Sequence, residues 1–252
     1  MTLHETCAGA GTRGAGAPMQ LTAAIFDLDG TLVASAGDIL RLLQASLGAE
    51  GVAIPPDRLA PRLLGPPLEE IVDALSPGLD AGVKARVVLR YRAAYRECAF
   101  NESPLYPHVR AQLEELRGAG LRLFVATYKP RDVSRRLLQH HGILDFFEAT
   151  IHSDSSPAGR LSKADMLCQL VREYGLSPAT TLMQGDGTGD MAAARANGIF
   201  AAAALYGYGG REGLLAAGPD VCLQSPDWRT GAFCADGSPF CWQTTVNTGG
   251  EA

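Results

Sequence analysis

The chain has 252 residues, of which 46% are hydrophobic and 19% are charged, and this composition is typical of a folded globular protein. Its length allows one large domain, or a core domain with a smaller insert. The net charge of -5 argues against general affinity for nucleic acid, and no apolar run reaches the roughly 18 residues that a membrane span needs.

The two ends of the chain differ in composition from the body. Residues 1–18 are rich in Gly, Ala and Thr without hydrophobic periodicity, which predicts a disordered tail. They also lack the apolar stretch of a secretory signal, and the six cysteines show no Cys-x-x-Cys spacing. We therefore expect reduced thiols and a cytoplasmic protein. Residues 226–252 are rich in chain-breaking residues, and the sequence leaves their order open.

Short apolar runs alternate with helical patterns between these ends. This alternation predicts an α/β fold, a Rossmann-like doubly wound parallel sheet with helices on both faces. The predicted strands are 23–26, 121–127, 148–153, 181–186, 200–205 and 220–223. The predicted helices are 130–142, 162–175 and 190–198, the second of which opens with a Ser-x-x-Asp pattern close to a capping box.

One block interrupts the alternation. Residues 37–100 contain only helical patterns, separated by Pro-rich joints such as "IPPDRLAPRLLGPP". We expect an all-α cap subdomain inserted above a core formed by residues 19–36 and 101–225. A helical bundle packed independently beside the sheet is the alternative, and the interruption of a continuous sheet disfavours it.

Polar residues follow three of the predicted strands. Asp27 and Asp29 end the first, Thr127 the second and Asp186 the third, while Asp190 follows at the start of the next helix. Taken singly, each would be read as a turn or cap residue. Ligands of open parallel sheets bind beyond the carboxyl ends of the strands, so these side chains should converge. Four crowded carboxylates require a cation, and oxygen ligands suit Mg²⁺.

A phosphate site is expected beside that cation. Thr127 lies just before the helix that begins near Pro130, where free N–H groups favour an anion. Lys163 stands in the first turn of a helix, where a positive charge opposes the helix dipole by roughly 0.3–1 kcal/mol. For a single lysine in this position, the ordinary explanation is that its ammonium lies in solvent. Beside a carboxylate cluster, its ammonium would instead neutralise carboxylate and phosphate charge.

These motifs together resemble the haloacid dehalogenase-like hydrolase superfamily. The segments "FDLDGTL", the strand ending in Thr127, "SKADML" with Lys163, and "GDGTGDM" have its order and spacing, and the likeness covers roughly residues 21–225. "LLGPPLEE" and "GYGGREGLLAAGPD" are similar to segments of its phosphoglycolate phosphatase-like branch, which carries a helical cap between the first two motifs.

The resemblance implies a role for each site residue. Asp27 would be the nucleophile that becomes an aspartyl-phosphate, and Asp29 would protonate the leaving alcohol and then activate water. Lys163 would be the third catalytic residue, and together with Thr127 it would bind the phosphate. The Mg²⁺ ligands would be Asp27, the main-chain carbonyl of Asp29, Asp186, and Asp190, which would bind directly, through water, or by holding Lys163.

Two positions depart from the pattern of that branch. Tyr128 stands where Asn or Ser is common, and Ala34-Ser35 stands where Asp-Ser is common. The first change concerns substrate contact and the second concerns the hinge or cap. We expect the cap to set substrate choice, with Arg62, Gly65 and Tyr128 as candidate specificity residues.

The resulting expectation is a Mg²⁺-dependent phosphatase that acts on a small phosphorylated metabolite, with no nucleic-acid or membrane partner. Phosphoglycolate, a nucleoside 5'-monophosphate or a sugar phosphate would each suit it. A phosphomutase of the same superfamily and a catalytically idle binding or regulatory protein on this scaffold are the alternatives. A true dehalogenase is disfavoured, because displacing a halide needs neither Asp29 as an acid nor a metal.

Overall fold

The computed structural model describes residues 19–156, 159–234 and 240–244. The predicted disordered tail, residues 1–18, lies outside these ranges. The strands within them are β1 (Met19–Leu21), β2 (Ala23–Phe26), β3 (Arg122–Thr127), β4 (Ala149–His152), β5 (Thr181–Gly185), β6 (Phe200–Ala204), β7 (Val221–Leu223), β8 (Ala232–Cys234) and β9 (Trp242–Thr244).

The helices within the same ranges surround these strands. They are α1 (Ala36–Gly48), α2 (Leu68–Leu75), α3 (Ala81–Arg96), α4 (Val109–Gly118), α5 (Arg131–His140), α6 (Lys163–Tyr174), α7 (Thr188–Ala196) and α8 (Arg211–Ala216). None of these described helices is long and apolar enough to cross a membrane.

Seven strands form the central sheet in the order β4-β3-β2-β5-β6-β7-β8, and all neighbours are parallel except β7 and β8. Strand β2 lies near the middle and is buried along its whole length. Because side chains alternate along a strand, Ala23 and Ile25 join the apolar cluster under α6 and α7. Ala24 and Phe26 join the cluster on the opposite face, under α4 and α5. The predicted α/β class is therefore confirmed.

Helix α6 begins at a capping box, as its sequence pattern predicts. The Ser162 hydroxyl accepts a hydrogen bond from the Asp165 N–H, and the Asp165 carboxylate accepts one from the Ser162 N–H. The helix ends at Gly175, whose φ of +60° is the left-handed conformation that favours glycine. The start of the helix is thereby fixed, with Lys163 as its first residue.

The segment between β2 and β3 carries the predicted cap. Helices α1, α2 and α3 lie in it, and no strand occurs in residues 37–100, all of which the structure describes. Helix α3 packs against α1 and α2 through buried side chains such as Leu43 and Val87, and it also contacts α5 of the core. The exact boundaries of core and cap remain a prediction.

The C-terminal segment docks on the core, which the sequence had left open. Strand β8 pairs antiparallel with β7, and β9 pairs parallel with β1. Between β7 and β8, Trp228 is only 3% exposed, and its indole N–H donates to Oε1 of Gln184 at 2.8 Å. The buried ring and its hydrogen bond anchor this segment to the middle of the sheet.

We expect Trp228→Ala to lower the free energy of unfolding by about 3–5 kcal/mol, because a large buried aromatic ring leaves a cavity when it is removed. Denaturant unfolding followed by circular dichroism measures the loss. Trp242→Ala is the matched control, since this ring is partly exposed and contacts Trp228 edge-on. Equal losses in the two variants would contradict the anchoring role of Trp228.

Candidate active site

Three carboxylates meet at the carboxyl edge of the sheet. Asp27 follows β2, Asp186 follows β5, and Asp190 lies in the first turn of α7. One oxygen from each of the three lies within 4.8 Å of the others. Among the residues that the structure describes, this is the one such group of metal-ligating side chains. Three of the four carboxylates that were expected to converge, those of Asp27, Asp186 and Asp190, therefore meet in the structure.

Glycines let the backbone approach these carboxylates closely. Gly30 has φ +80°, and a Cβ atom there would lie 2.0 Å from Oδ2 of Asp186. A Cβ atom on Gly185 would lie 2.3 Å from Oδ2 of Asp190. Both distances are far below van der Waals contact, so Gly30 of "DGT" and Gly185, the first glycine of "GDG", are required by the packing of the carboxylates.

Lys163 connects the cluster to the sheet. Its Nζ lies 2.9 Å from Oδ1 of Asp27 and 2.9 Å from Oδ1 of Asp190. It also donates to the carbonyl oxygen of Ala126 at 2.9 Å. The three donors of the ammonium thus have three acceptors, although the side chain is almost fully buried. The odd position of a lysine at a helix start is explained by these contacts.

Backbone and hydroxyl donors hold both oxygens of Asp186 and the second oxygen of Asp190. Oδ2 of Asp186 accepts from the N–H of Tyr208 at 2.7 Å, and Oδ1 accepts from the hydroxyl of Thr31 at 3.3 Å. Oδ2 of Asp190 accepts from the N–H of Gly187 at 3.0 Å. Asp190 thus contacts Lys163 through Oδ1 and the backbone through Oδ2, and the choice among the three roles left open for it stays a prediction.

Burial perturbs the ionisation of the cluster. Desolvation is the main cause that raises the pKa of Asp27 to about 6, against the opposing charge of Lys163. Desolvation, together with the charges of Asp27 and Asp190, raises the pKa of Asp186 to about 8. Burial alone would lower the pKa of Lys163, but Asp190 and Asp27 outweigh it and raise that pKa above its usual value.

The donor set fits a hard divalent cation. Three carboxylates share one ammonium, so the cluster carries more negative charge than Lys163 neutralises. Oxygen ligands of this kind suit Mg²⁺, which binds through one or two carboxylates and keeps several waters. The residues Asp27, Asp186 and Asp190 are therefore able to hold such an ion.

Asp29 lies apart from this cluster, although it is only two residues from Asp27. Its Oδ1 lies 2.9 Å from Nζ of Lys129 and also accepts a hydrogen bond from the hydroxyl of Ser35. Its side chain is not part of the three-carboxylate group. The expected metal contact of Asp29, through its main-chain carbonyl, remains a prediction. Sequence reasoning did not find the pairing of Asp29 with Lys129.

A cavity of about 140 Å³ lies between the core and the cap. Asp27, Asp29 and Thr127 line its core side, whereas the cap side is largely apolar and aromatic. Thr127 is buried, and its hydroxyl accepts from the N–H of Lys129 at 3.2 Å. The site therefore opens into a cleft between core and cap.

Of the three candidate specificity residues, two line the cavity and one does not. Gly65 and Tyr128 line the cavity, and the hydroxyl of Tyr128 accepts from the N–H of Lys163 at 3.1 Å. Arg62 does not line the cavity and is exposed, because the short helical turn Pro61–Leu63 turns it outward. The cavity lining therefore gives no support to Arg62 as a specificity residue, and its role stays a prediction.

Other basic side chains line the cavity in its place. Arg92 on α3 and Arg160 of the core both pair with Glu69, at 2.6 Å and 3.1 Å respectively. Sequence reasoning missed both residues. The only sequence signal for Arg92 was that it follows Tyr91. Tyr91 and Tyr95 have the i, i+4 spacing that puts two side chains on one face of a helix.

Comparison with known proteins agrees with this geometry. Residues 24–204 match the family model described as haloacid dehalogenase-like hydrolase, and the chain belongs to this family. A solved haloacid dehalogenase-like hydrolase of Streptococcus pneumoniae superposes with a TM-score of 0.74 at 31% identity, over 82% of this chain and 95% of that one. The fold of core and cap is thus shared with a solved relative.

Three curated relatives have informative names. The tyrosine-protein kinase PtkA of Mycobacterium tuberculosis is 36% identical over 185 residues, 73% of this chain and 62% of that protein. The chain therefore spans less than two thirds of the length of PtkA. A 5'-nucleotidase of Pseudomonas aeruginosa is 30% identical over 77% of this chain and 87% of its own length. A phosphoglycolate phosphatase of Vibrio vulnificus is 30% identical over 79% and 90%, which supports the resemblance to that branch.

In metal-free buffer we expect the free energy of unfolding to fall as the pH rises from about 5 to 8. Folded Asp186 keeps its proton up to a pKa of about 8, whereas an exposed aspartate in the unfolded chain releases it near a pKa of about 3.9. The folded state therefore binds more protons in this window, and the stability that this confers is lost as the pH rises through the folded pKa. Urea unfolding with a chelator present, at several pH values, measures the slope.

Asp186→Asn provides the control for this pH dependence, because an amide does not titrate. One proton per molecule corresponds to about 1.4 kcal/mol per pH unit, so the variant should show a shallower slope by up to that amount. Identical slopes in the two proteins would show that Asp186 is not the group responsible.

Proposed function

We propose that this protein is a Mg²⁺-dependent phosphatase that hydrolyses a small phosphate monoester through an aspartyl-phosphate on Asp27. The observation that carries the proposal is the placement of Asp27. Its carboxylate faces the cavity, pairs with the Lys163 ammonium at 2.9 Å, and lies in a group of three carboxylates suited to a cation. The names 5'-nucleotidase and phosphoglycolate phosphatase among the relatives support the same reaction class.

The metal would be held by Asp27, Asp186 and Asp190, with the main-chain carbonyl of Asp29 as a further ligand implied by the family resemblance. A bound Mg²⁺ would neutralise the surplus negative charge of the cluster and polarise the phosphoryl group. The raised pKa of Asp186, about 8, means that binding the ion would release a proton near neutral pH.

Asp27 and Asp29 divide the chemistry of the proposed reaction. The carboxylate of Asp27 attacks phosphorus, and the bond from phosphorus to the ester oxygen breaks. Asp29, in its protonated form, gives its proton to the departing oxygen, so that an alcohol leaves. Asp29 then takes a proton from a water that attacks the phosphorus of the aspartyl-phosphate. The bond between phosphorus and the Asp27 oxygen breaks, inorganic phosphate leaves, and Asp27 returns to its starting form. Two easier steps thus replace one difficult displacement.

Lys163 and Thr127 would bind the oxygens of the transferring phosphoryl group. The Lys163 ammonium is already fixed by three acceptors, so it needs no reorganisation when charge develops on those oxygens. The hydroxyl of Thr127 lines the same cavity. Fixed donors of this kind stabilise a transition state more than mobile ones do.

The cavity favours a small, soluble substrate. Its volume of about 140 Å³ and the cap above it leave room for a small organophosphate and exclude a folded macromolecule. Phosphoglycolate, a nucleoside 5'-monophosphate and a sugar phosphate are the candidates. The substrate is to be identified by a phosphatase screen over a panel of such esters, with and without Mg²⁺.

Phosphoryl transfer to tyrosine is the second candidate, because the chain is 36% identical to PtkA over 185 residues. The same preparation distinguishes the two activities. Release of inorganic phosphate from a small ester supports the phosphatase, whereas transfer of the terminal phosphate of ATP to a tyrosine peptide supports the kinase. A phosphomutase would instead interconvert two phosphate esters with no stoichiometric release of phosphate.

We expect Asp27→Asn to abolish hydrolysis of every ester in the panel while the protein stays folded, because the amide cannot act as the nucleophile. Activity should also disappear when a chelator removes Mg²⁺ from the wild type and return when the ion is restored. Circular dichroism and phosphate release are the measurements. Substantial turnover by pure Asp27→Asn protein would rule out the proposed intermediate.

We expect Lys163→Met to lower kcat at least about a hundredfold, the scale found when one such charge-stabilising group is lost. Lys84→Met is the matched control, since Lys84 pairs with Asp73 on the surface of the cap and does not line the cavity. Near-normal turnover in folded Lys163→Met protein would contradict the proposed role.

A further inference from the structure

We propose that Tyr95 and Lys129 are positioning residues that orient the carboxylate of Asp29 from the cap. Tyr95 lies on α3 of the cap, and Lys129 follows β3 of the core. The Nζ of Lys129 donates to the hydroxyl of Tyr95 and lies 2.9 Å from Oδ1 of Asp29. The three side chains thus form a continuous chain of contacts from cap to site. The proposal rests on the proposed function, in which Asp29 is the acid and base.

The ammonium of Lys129 is buried so deeply that it needs an opposite charge and hydrogen-bond acceptors. The residue is 5% exposed, and an ammonium in such a place is costly unless it is paired and hydrogen-bonded. Its partners come from both sides of the cavity. Asp29 supplies the opposite charge, and Tyr95 supplies both a hydroxyl acceptor and a ring whose centroid lies 4.4 Å from Nζ. Lys129 therefore has a fixed place only when α3 lies against the core.

The contacts of Asp29 leave one oxygen available. Lys129 and Ser35 both engage Oδ1. Within the described ranges, Oδ2 has no hydrogen-bond partner, and Asp29 lines the cavity. Holding one oxygen from two directions fixes the plane of the carboxylate and presents the other oxygen to the cavity. This is the arrangement that proton transfer to a leaving oxygen requires.

Tyr95 is itself held in place by packing. It is 4% exposed, and its ring contacts those of Tyr91 and Phe100, with centroids 5.4 Å and 6.2 Å away. A ring fixed on both sides is able to fix the ammonium that it contacts. Movement of α3 away from the core would separate Tyr95 from Lys129. Asp29 would then lose part of its support, so its correct orientation depends on the position of the cap.

The test compares two substrates that differ in their need for an acid. An alkyl phosphate releases a strongly basic alkoxide and depends on protonation, whereas p-nitrophenyl phosphate releases a stable phenolate without it. For Tyr95→Phe we expect kcat/KM on the alkyl ester to fall at least about tenfold, part of the range attributed to a general acid. On p-nitrophenyl phosphate it should change by less than about threefold. The parameter kcat/KM isolates the transfer step from later hydrolysis of the aspartyl-phosphate.

Tyr91→Phe is the comparison variant. Tyr91 lies one helical turn before Tyr95 in α3, and its hydroxyl makes no hydrogen bond within the described ranges. Its loss should leave the ratio of the two kcat/KM values unchanged. A similar change of the ratio in both variants would overturn the proposal, because it would point to a general effect on the cavity wall. An unchanged ratio in Tyr95→Phe would overturn it as well.

A double-mutant cycle tests whether Tyr95 acts through Lys129. In a Lys129→Met background, adding Tyr95→Phe should have almost no further effect on the ratio. A further loss as large as in the wild-type background would show that Tyr95 acts by another route. If the wild type hydrolyses neither ester, or if Asp27→Asn retains activity, the proposed function itself fails. If the enzyme is active and depends on Asp27, but neither Tyr95→Phe nor Lys129→Met changes the ratio of the two kcat/KM values, only the positioning role is contradicted.

Discussion

One buried ammonium, that of Lys163, holds the carboxyl edge of the sheet together. A charge withdrawn from water is tolerated only where acceptors surround it, and Lys163 has three: Asp27 just after β2, Ala126 in β3 and Asp190 in α7. The capping box at Ser162 fixes the residue at the helix start, where the opposing dipole costs roughly 0.3–1 kcal/mol. The pairing with the carboxylates of Asp27 and Asp190 outweighs that cost, so the strands, the helix and the site depend on one another.

Two aspartates with a single residue between them have separate partners. Asp27 pairs with Lys163 on the side of the carboxylate cluster, whereas Asp29 pairs with Lys129 on the side of the cap. Their side chains share one edge of the sheet but lie in different electrostatic surroundings. Neighbouring titratable groups in different surroundings are able to take different chemical roles. The division between nucleophile and acid thus has a structural basis in two lysines.

Most of the correct predictions came from local sequence patterns. The sheet, the capping box of α6 and the convergence of Asp27, Asp186 and Asp190 follow from apolar runs, cap residues and strand ends. The contacts that could not be predicted are long-range. Tyr95 and Lys129 are 34 positions apart and meet only through the placement of the cap. Likewise, the direction of Arg62 depends on a Pro-rich turn, and the docking of Trp228 depends on a partner 44 positions earlier.

Strand β8 also covers one edge of the central sheet. The match to the family model ends at residue 204, yet the sheet continues through β7 to a three-residue antiparallel strand. Without β8, the backbone of β7 would present a row of unpaired N–H and C=O groups, which is a template for intermolecular strand addition. A very short final strand leaves few such groups. The C-terminal segment therefore shortens the free edge on the β7 side of the sheet.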